Sequence, residues 1–567
     1  MRKSSKILAL LLVAAMFISA ACTTGTDSGA APQESGGGPV VLSPDNPVTI
    51  PIWFTSGQMA PAPDNKISAL LKERLGVTLE YDITTPDLQD QRIGVMLAGG
   101  NLPDILGPTD INARMVNGGA LLRLDDYLDS GDYPNLAAHV EPYRKKLSWT
   151  GGGVEDGLYI FPNYNRFYGD PPLLSGDYMG TGFFIQKAVL EHFGYPDLEN
   201  MTLERYFGFI EDYMAEFPEI DGQQTIGFTF PAFDGREWGL TNPPNFLAGN
   251  PNNGGVIIAD DGTATIYANS QYAYDYFKFL NEAYAKGLVD PESFTQTLDQ
   301  YEAKIATGRV LGMHDQRWSF GNANDSLVQQ GKDERTYVAT MPVFEGKEPW
   351  YADFDVMNIN QGLGISASAE NPELLLTFLD TLLSEEWQII LSWGIEGEDY
   401  LVDENGMYYR TPEQRTNADS ITWRQSNRLE ALFDIMPKRQ GTLSNGNALE
   451  RQAQPIEFFG RLSEYDKNFL EQYGKQTWRD FVNDPPENPV YYPAWQIQLP
   501  DGSDAQVAQA QLDDAAIQYL PLAIMADPAD FDAKWKDYTD AIDRIDVAAL
   551  EAVFTAGVQE RMATWGE

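Results

Sequence analysis

Hydrophobic and polar positions follow two rhythms along this chain. Residues 48 to 54 form a short, largely apolar run, a candidate buried strand that Pro51 moves toward an edge or a bulge. Ile67, Leu70, Leu71 and Leu75 then recur at helical spacing, with Asp64 or Asn65 placed to cap the helix and Gly76 to end it. Val77, Leu79, Tyr81 and Ile83 alternate as a half-buried strand, residues 88 to 98 read as a second helix, and GGNLPDIL turns into a third short strand. This order predicts a mostly parallel sheet covered by helices. In such sheets ligands bind beyond the carboxyl ends of the strands. Thr55, Ser56 and Gln58 after the first strand, with Thr109 and Asp110 after the third, are therefore candidate ligand contacts.

A second α/β pattern follows. GTGFFIQKAVLEHFGY reads as a strand running into a helix, and NMTLERYFGFIEDYMAEF as a helix capped by Asn200 or Thr202. QYAYDYFKFLNEAYAKGLVDP is another helix, closed by Gly287 and Pro291. Farther on, Asn371 and Pro372 take the cap and first position of a helix whose apolar face holds Leu375, Phe378, Leu379 and Leu382. GLYIFPNYN near residue 160 and ADFDVMNIN near 355 are short extended segments between the two patterns, as hinge strands should be.

The amino terminus has a different character. Arg2, Lys3 and Lys6 precede an apolar run from 7 to 17 and then the small residues Ser19, Ala20 and Ala21, the three-part layout of a secretory signal. Cys22 is the only cysteine among 567 residues, so it has no internal disulfide partner. ISAAC resembles the bacterial lipobox, in which the cysteine becomes the lipidated first residue, although Ser19 stands where that motif usually has Leu. Residues 22 to 46, rich in Gly, Ser, Thr and Pro, read as a lipidated anchor and flexible tether. Acidic residues outnumber basic ones 83 to 39, for a net charge of −44, which argues against nucleic acid and anionic lipid surfaces as partners.

The order of elements resembles the extracellular solute-binding proteins of ATP-driven sugar importers, the large carbohydrate-binding class that includes maltose-binding protein, and within it the long lipoproteins of Gram-positive bacteria. LPDIL, GGALLRLDDYL, GRVLGM, ENPELLLTFLDTLLSEE and, most specifically, WGIEGEDYLVDENGMYYRTPE carry the resemblance in the family's order. It implies a two-lobed, type II periplasmic-binding-protein-like α/β fold, each lobe a mostly parallel sheet flanked by helices. The expected division is a signal at 1–21, anchor and tether at 22–46, lobe 1 at 47–160 and 357–400, and lobe 2 at 161–356 and 401–567. Relatives often carry a calcium-loop-like insertion after the helix near residue 216. Here EFPEIDGQQTIGF lacks the Asp-x-Asp-x-Asp-Gly spacing, so no calcium is expected there; no metal ligands and no cofactor are assigned.

Sugar chemistry then selects side chains. One face of a pyranose is a patch of C–H groups that stacks on an aromatic ring, while its hydroxyls need carboxylate, amide or arginine partners once buried. Trp318 matches the family position where an aromatic follows the GRVLGM strand and faces the sugar, with Asp315 and Arg317 beside it. Trp393 with Glu396, Trp238 and Tyr164 are further candidates. A polyanionic sugar is disfavoured by the overall charge unless local Arg or Lys reverses it. Catalysis has no comparable signature: G-x-S-x-G, H-E-x-x-H and the phosphate-binding loop are missing, and His139, His192 and His314 are scattered. The expected protein is a monomeric, lipid-anchored receptor on the extracytoplasmic face that delivers an oligosaccharide to permease subunits and is not an enzyme. A secreted carbohydrate-active enzyme, or a receptor of this fold for a peptide or other polar solute, is the alternative.

Overall fold

The computed structural model describes residues 40–55, 60–85, 88–107, 113–150, 153–162, 173–232, 236–352, 359, 362–429, 437–439, 441–484 and 492–565. Cys22 and its surroundings, Ser56, Gln58, Thr109, Asp110 and Tyr164 lie outside these residues, as does most of the 355 segment.

Nine strands build two sheets: β1 (Val48–Thr55), β2 (Val77–Thr84), β3 (Ile105–Gly107), β4 (Phe161–Pro162), β5 (Thr181–Gln186), β6 (Ile226–Thr229), β7 (Val310–Gln316), β8 (Tyr337–Thr340) and β9 (Gly362–Ile365). The first sheet has the order β2-β1-β3-β9-β4, with β9 antiparallel to both its neighbours. The second has the order β8-β5-β7-β6, with β5 antiparallel to β7 and β8 while β6 and β7 run parallel. In each sheet a single strand therefore runs against the others. β1 is an interior strand despite Pro51. Its pairing with β3 begins only at Ile52, so the proline falls where β1 has a neighbour on one side alone.

Each sheet has its own apolar core. In the first, Ile52, Phe54, Ile105 and Leu363 pack under α1 (Lys66–Leu75), α2 (Gln89–Gly99) and later helices. Asn65 caps α1 by accepting the Ser68 N–H, and Gly76 closes it in the left-handed conformation. In the second core, Phe183, Phe228 and Met313 meet Tyr206 and Ile210 of α3 (Leu203–Glu216), which is capped by Thr202. The next helices are α4 (Trp238–Thr241), α5 (Gln271–Ala285), α6 (Leu298–Ile305) and α7 (Gly321–Gln329). After α8 (Pro372–Leu382) in the first lobe, α9 (Asp504–Ile524), α10 (Phe531–Ile542) and α11 (Val547–Trp565) complete the second core.

The chain passes from the first sheet to the second between β4 and β5, and returns between β8 and β9. It crosses a third time later than the expected boundary at 401. Lys66 pairs with Asp399 at 2.8 Å, Asn65 Nδ2 donates to the carbonyls of Gln425 and Arg428, and Leu429 belongs to the first core. Farther on the chain is tied to the second lobe: Leu462 and Tyr465 pack against its core, Tyr465 OH donates to Glu191 at 2.7 Å, and Asp466 pairs with buried Lys187 at 2.6 Å. The stretch that opens the expected 401–567 half of lobe 2 thus stays with lobe 1. Among the described residues no helix is long and apolar enough to cross a membrane.

Candidate functional site

β6 and β7 are parallel neighbours, so their carboxyl ends open on the same edge of the second sheet. Arg236 and Trp238 follow β6; Arg317, Trp318 and Ser319 follow β7. This is where the strand-end rule puts a ligand.

Two indoles meet there. The rings of Trp238 and Trp318 lie 6.0 Å apart at 41° to each other, and Trp318 is 45 % exposed. Trp318 Nε1 donates to Gln316 Oε1 at 2.6 Å, which holds the ring without covering it. Arg236 sits between the two, its guanidinium carbon 5.5 Å from each ring centroid, while Nη1 donates to Ser319 Oγ at 2.6 Å.

Asp315 lies beneath this surface rather than on it. It is fully buried and accepts from Tyr301 OH at 3.0 Å, Trp238 Nε1 at 3.4 Å and the Gln316 N–H at 2.7 Å, and Ser319 hydrogen-bonds it as well. Burial pushes its carboxyl up to about 6 in spite of those donors. With both oxygens engaged inside the protein, Asp315 orients Trp238 and Ser319 and leaves no oxygen for a solute, contrary to the expectation that it contacts the ligand. On the opposite face of β7, His314 is buried, faces the Gly239 carbonyl at 3.1 Å through Nδ1, and is held neutral because burial pushes it down to about 3. A carbonyl only accepts, so Nδ1 carries the proton.

The other described candidates divide. The Arg317 backbone N–H donates to the Gly180 carbonyl, and its half-buried guanidinium lies 5.2 Å from the Phe320 ring, with Asp325, Asp177 and Arg461 as its electrostatic surroundings. Thr55 is buried at the end of β1, its hydroxyl donating to Gln89 Oε1 at 2.8 Å. Trp393 is fully buried in a satellite core with Tyr400 and Tyr408; its Nε1 donates to the Ala448 carbonyl and Arg410 covers the ring at 4.8 Å. No face remains for a solute, so the expectation for Trp393 is corrected, and exposed Glu396 belongs to the same peripheral element through its bridge to Tyr400. Arg236, Ser319 and Tyr301 are site residues the sequence reading lacks. A cation two positions before Trp238 in the turn after β6 was the available signal for Arg236. Among the described residues no group of side chains has the arrangement of a metal site.

Comparisons with known proteins identify the family and the fold. The family model described as bacterial extracellular solute-binding protein matches residues 67–394. The chain is 33 % identical to the polygalacturonan/rhamnogalacturonan-binding protein YtcQ of Bacillus subtilis, over 72 % of this chain and 76 % of that one. It is 23 % identical to the fructooligosaccharide ABC transporter substrate-binding protein FusA of Streptococcus pneumoniae, over 69 % and 71 %. A solved structure of the FusA EF-hand mutant in complex with fructo-nystose superposes with a TM-score of 0.65 at 16 % identity, covering 91 % of this chain and 100 % of the other, and shares the two-lobed type II fold.

Proposed function

Since the chain belongs to the bacterial extracellular solute-binding protein family, we propose that it is the receptor of an ATP-driven importer, capturing an oligosaccharide and handing it to the permease subunits. The observation that carries this reading is the pair of indoles at the carboxyl ends of β6 and β7, one of them open. Trp318 offers a platform for the C–H face of a pyranose, and Trp238 and Arg236 wall the site beside it. A glycosidase sets two carboxyl groups about the scissile bond, whereas Asp315, the carboxyl that Trp238 donates to, is sealed beneath the rings. On this reading the protein binds and releases its sugar unchanged.

The lobes close over the sugar by rotation about the crossings of the chain, and the permease discriminates the loaded form from the open one. Cys22 carries the lipid that holds the receptor, as a monomer, on the extracytoplasmic face; the Gly-, Ser- and Thr-rich residues after it are its tether, which ends earlier than the expected residue 46 because Leu42 already packs against the first core. The relatives are named for a neutral and for an acidic glycan, so their names leave the charge of this chain's ligand open.

The test is a thermal-shift screen against neutral, acidic and amino oligosaccharides, with short peptides as controls. A ligand at 100 times its dissociation constant adds about 2.7 kcal/mol to the folded state, enough to raise the midpoint by a few degrees. A shift with the glycan recovered intact supports the receptor. Cleavage of the glycan overturns it in favour of an enzyme, and a response to peptides alone overturns the sugar assignment.

A further inference from the structure

Arg236 stands at the indoles as a cation in a chain where acids outnumber bases by about two to one. Many of its other cations have a carboxylate at hand: Lys66 pairs with Asp399, Arg74 with Glu386, Lys187 with Asp466, Lys304 with Asp290 and Arg415 with Glu457. Arg236 makes no ion pair among the described residues. Its protein contacts are the Ser319 hydroxyl and the faces of Trp238 and Trp318. Glu302 is the acid whose field it feels, and that carboxyl is itself pushed up by burial.

The arrangement is rigid as well as unpaired. Buried Asp315 fixes Ser319, Ser319 fixes one arm of the guanidinium, and the two indoles confine its plane. Such a fork loses little freedom when it meets a planar anion, and a carboxylate takes two parallel N–H donors where a hydroxymethyl group takes one. A sugar stacked on Trp318 would have Arg236 close by, since the guanidinium carbon lies 5.5 Å from that ring's centroid.

We propose that the ligand is an acidic oligosaccharide whose uronate carboxylate is taken by Arg236 between Trp238 and Trp318; this rests on the receptor reading and narrows it to a charge class. The strongly negative surface opposes such a ligand, so its binding depends on a local cation.

The experiment is calorimetric titration of the full chain, in mild detergent, with trigalacturonate and with its fully methyl-esterified form, which keeps the skeleton and removes the charge. The acid binds about 10- to 100-fold more tightly, the range a charge-assisted hydrogen-bond pair supplies. Arg236→Gln abolishes that ratio, and Arg236→Lys, a point charge without the fork, restores part of it. Unliganded thermal midpoints establish that both variants fold; if Arg236→Gln does not, the acid-to-ester ratio of the native chain decides alone. Equal affinity for acid and ester, or binding of neutral glycans only, overturns the uronate assignment and leaves the receptor standing. Silence toward every sugar overturns the receptor reading and this inference with it.

Discussion

Trp318 and Trp393 look alike in sequence, each beside charged groups and near glycine, yet they end in opposite environments. Trp318 is 45 % exposed over a hydrogen-bonded support, whereas Trp393 is enclosed. Trp318→Ala should lower sugar affinity roughly tenfold or more, as removal of a central aromatic anchor does, while the urea midpoint stays nearly unchanged. Trp393→Ala should do the reverse, costing about 3–5 kcal/mol of stability as a large core deletion without altering the affinity of the folded fraction. Asp315 makes a third residue-scale prediction. Its folded carboxyl is held at about 6, above the 3.8 of an unperturbed aspartate, so between these values the folded state binds more protons than the unfolded one. Its contribution to stability is present at low pH, is lost as pH rises through that window, and is flat above it. Asp315→Asn removes this slope, so urea denaturation from pH 4 to 8 should find the variant gaining roughly 3 kcal/mol on the native chain as pH rises. His314, displaced the opposite way, to about 3, loses stability on acidification below its unfolded value of 6.5, and this limb should stand out once Asp315 is gone. A difference between variant and native that is independent of pH would contradict the assignment.

At the scale of elements, the site depends on how closely α4 approaches the segment after β6. A Cβ on Gly239 would come within 2.2 Å of the Pro231 carbonyl oxygen, and the Gly239 carbonyl is the partner of His314. Gly239→Ala must push α4 away and carry Trp238 with it, at a cost of about 1–3 kcal/mol and with a weaker sugar response in calorimetry than the stability loss accounts for. The same locality explains what the sequence made legible. Asn65, Thr202 and Asn371 were readable as caps because a cap is satisfied within three residues, and Gly76 because a helix end needs a left-handed residue. The strand that leads to Trp318 was legible through the GRVLGM resemblance, whereas the short strand before Trp238 was not read. Asp315 was misread because its burial depends on Tyr301 and Trp238, which periodicity along β7 does not reveal. The stretch after residue 401 was assigned to the wrong lobe because contacts such as Asn65 with Gln425 join positions about 360 residues apart. Arg410 and Arg428 anchor that stretch by donating to buried carbonyls of Trp393, Asp399, Leu391 and Ser392, which no hydrophobic pattern announces.

On the scale of the whole molecule, polar contacts join the first lobe to the C-terminal helices of the second. Arg114 Nε lies 3.3 Å from Asp501, just before α9, and Lys146 Nζ stands 5.3 Å over the ring of Trp565 at the end of α11. Arg114 belongs to the short helix Ala113–Asn117 that follows β3, so its ion pair with Asp501 spans the lobes. Both partners are well exposed, at 38 % and 55 % of their side chains. Such a pair is worth under about 1 kcal/mol, which can move an equilibrium between open and closed lobes by about fivefold at most. Asp501→Asn should therefore weaken sugar binding by no more than that factor. Because the pair is exposed, the difference between variant and native should disappear near 1 M salt, where the screening length falls to about 3 Å. Small-angle scattering should record a smaller radius of gyration on adding sugar to either protein, since the variant shifts the balance between states without abolishing closure. A loss of affinity of tens of fold, or one that persists in high salt, would place Asp501 in contact with the ligand instead and move the binding cleft from β6 and β7 toward the C-terminal helices.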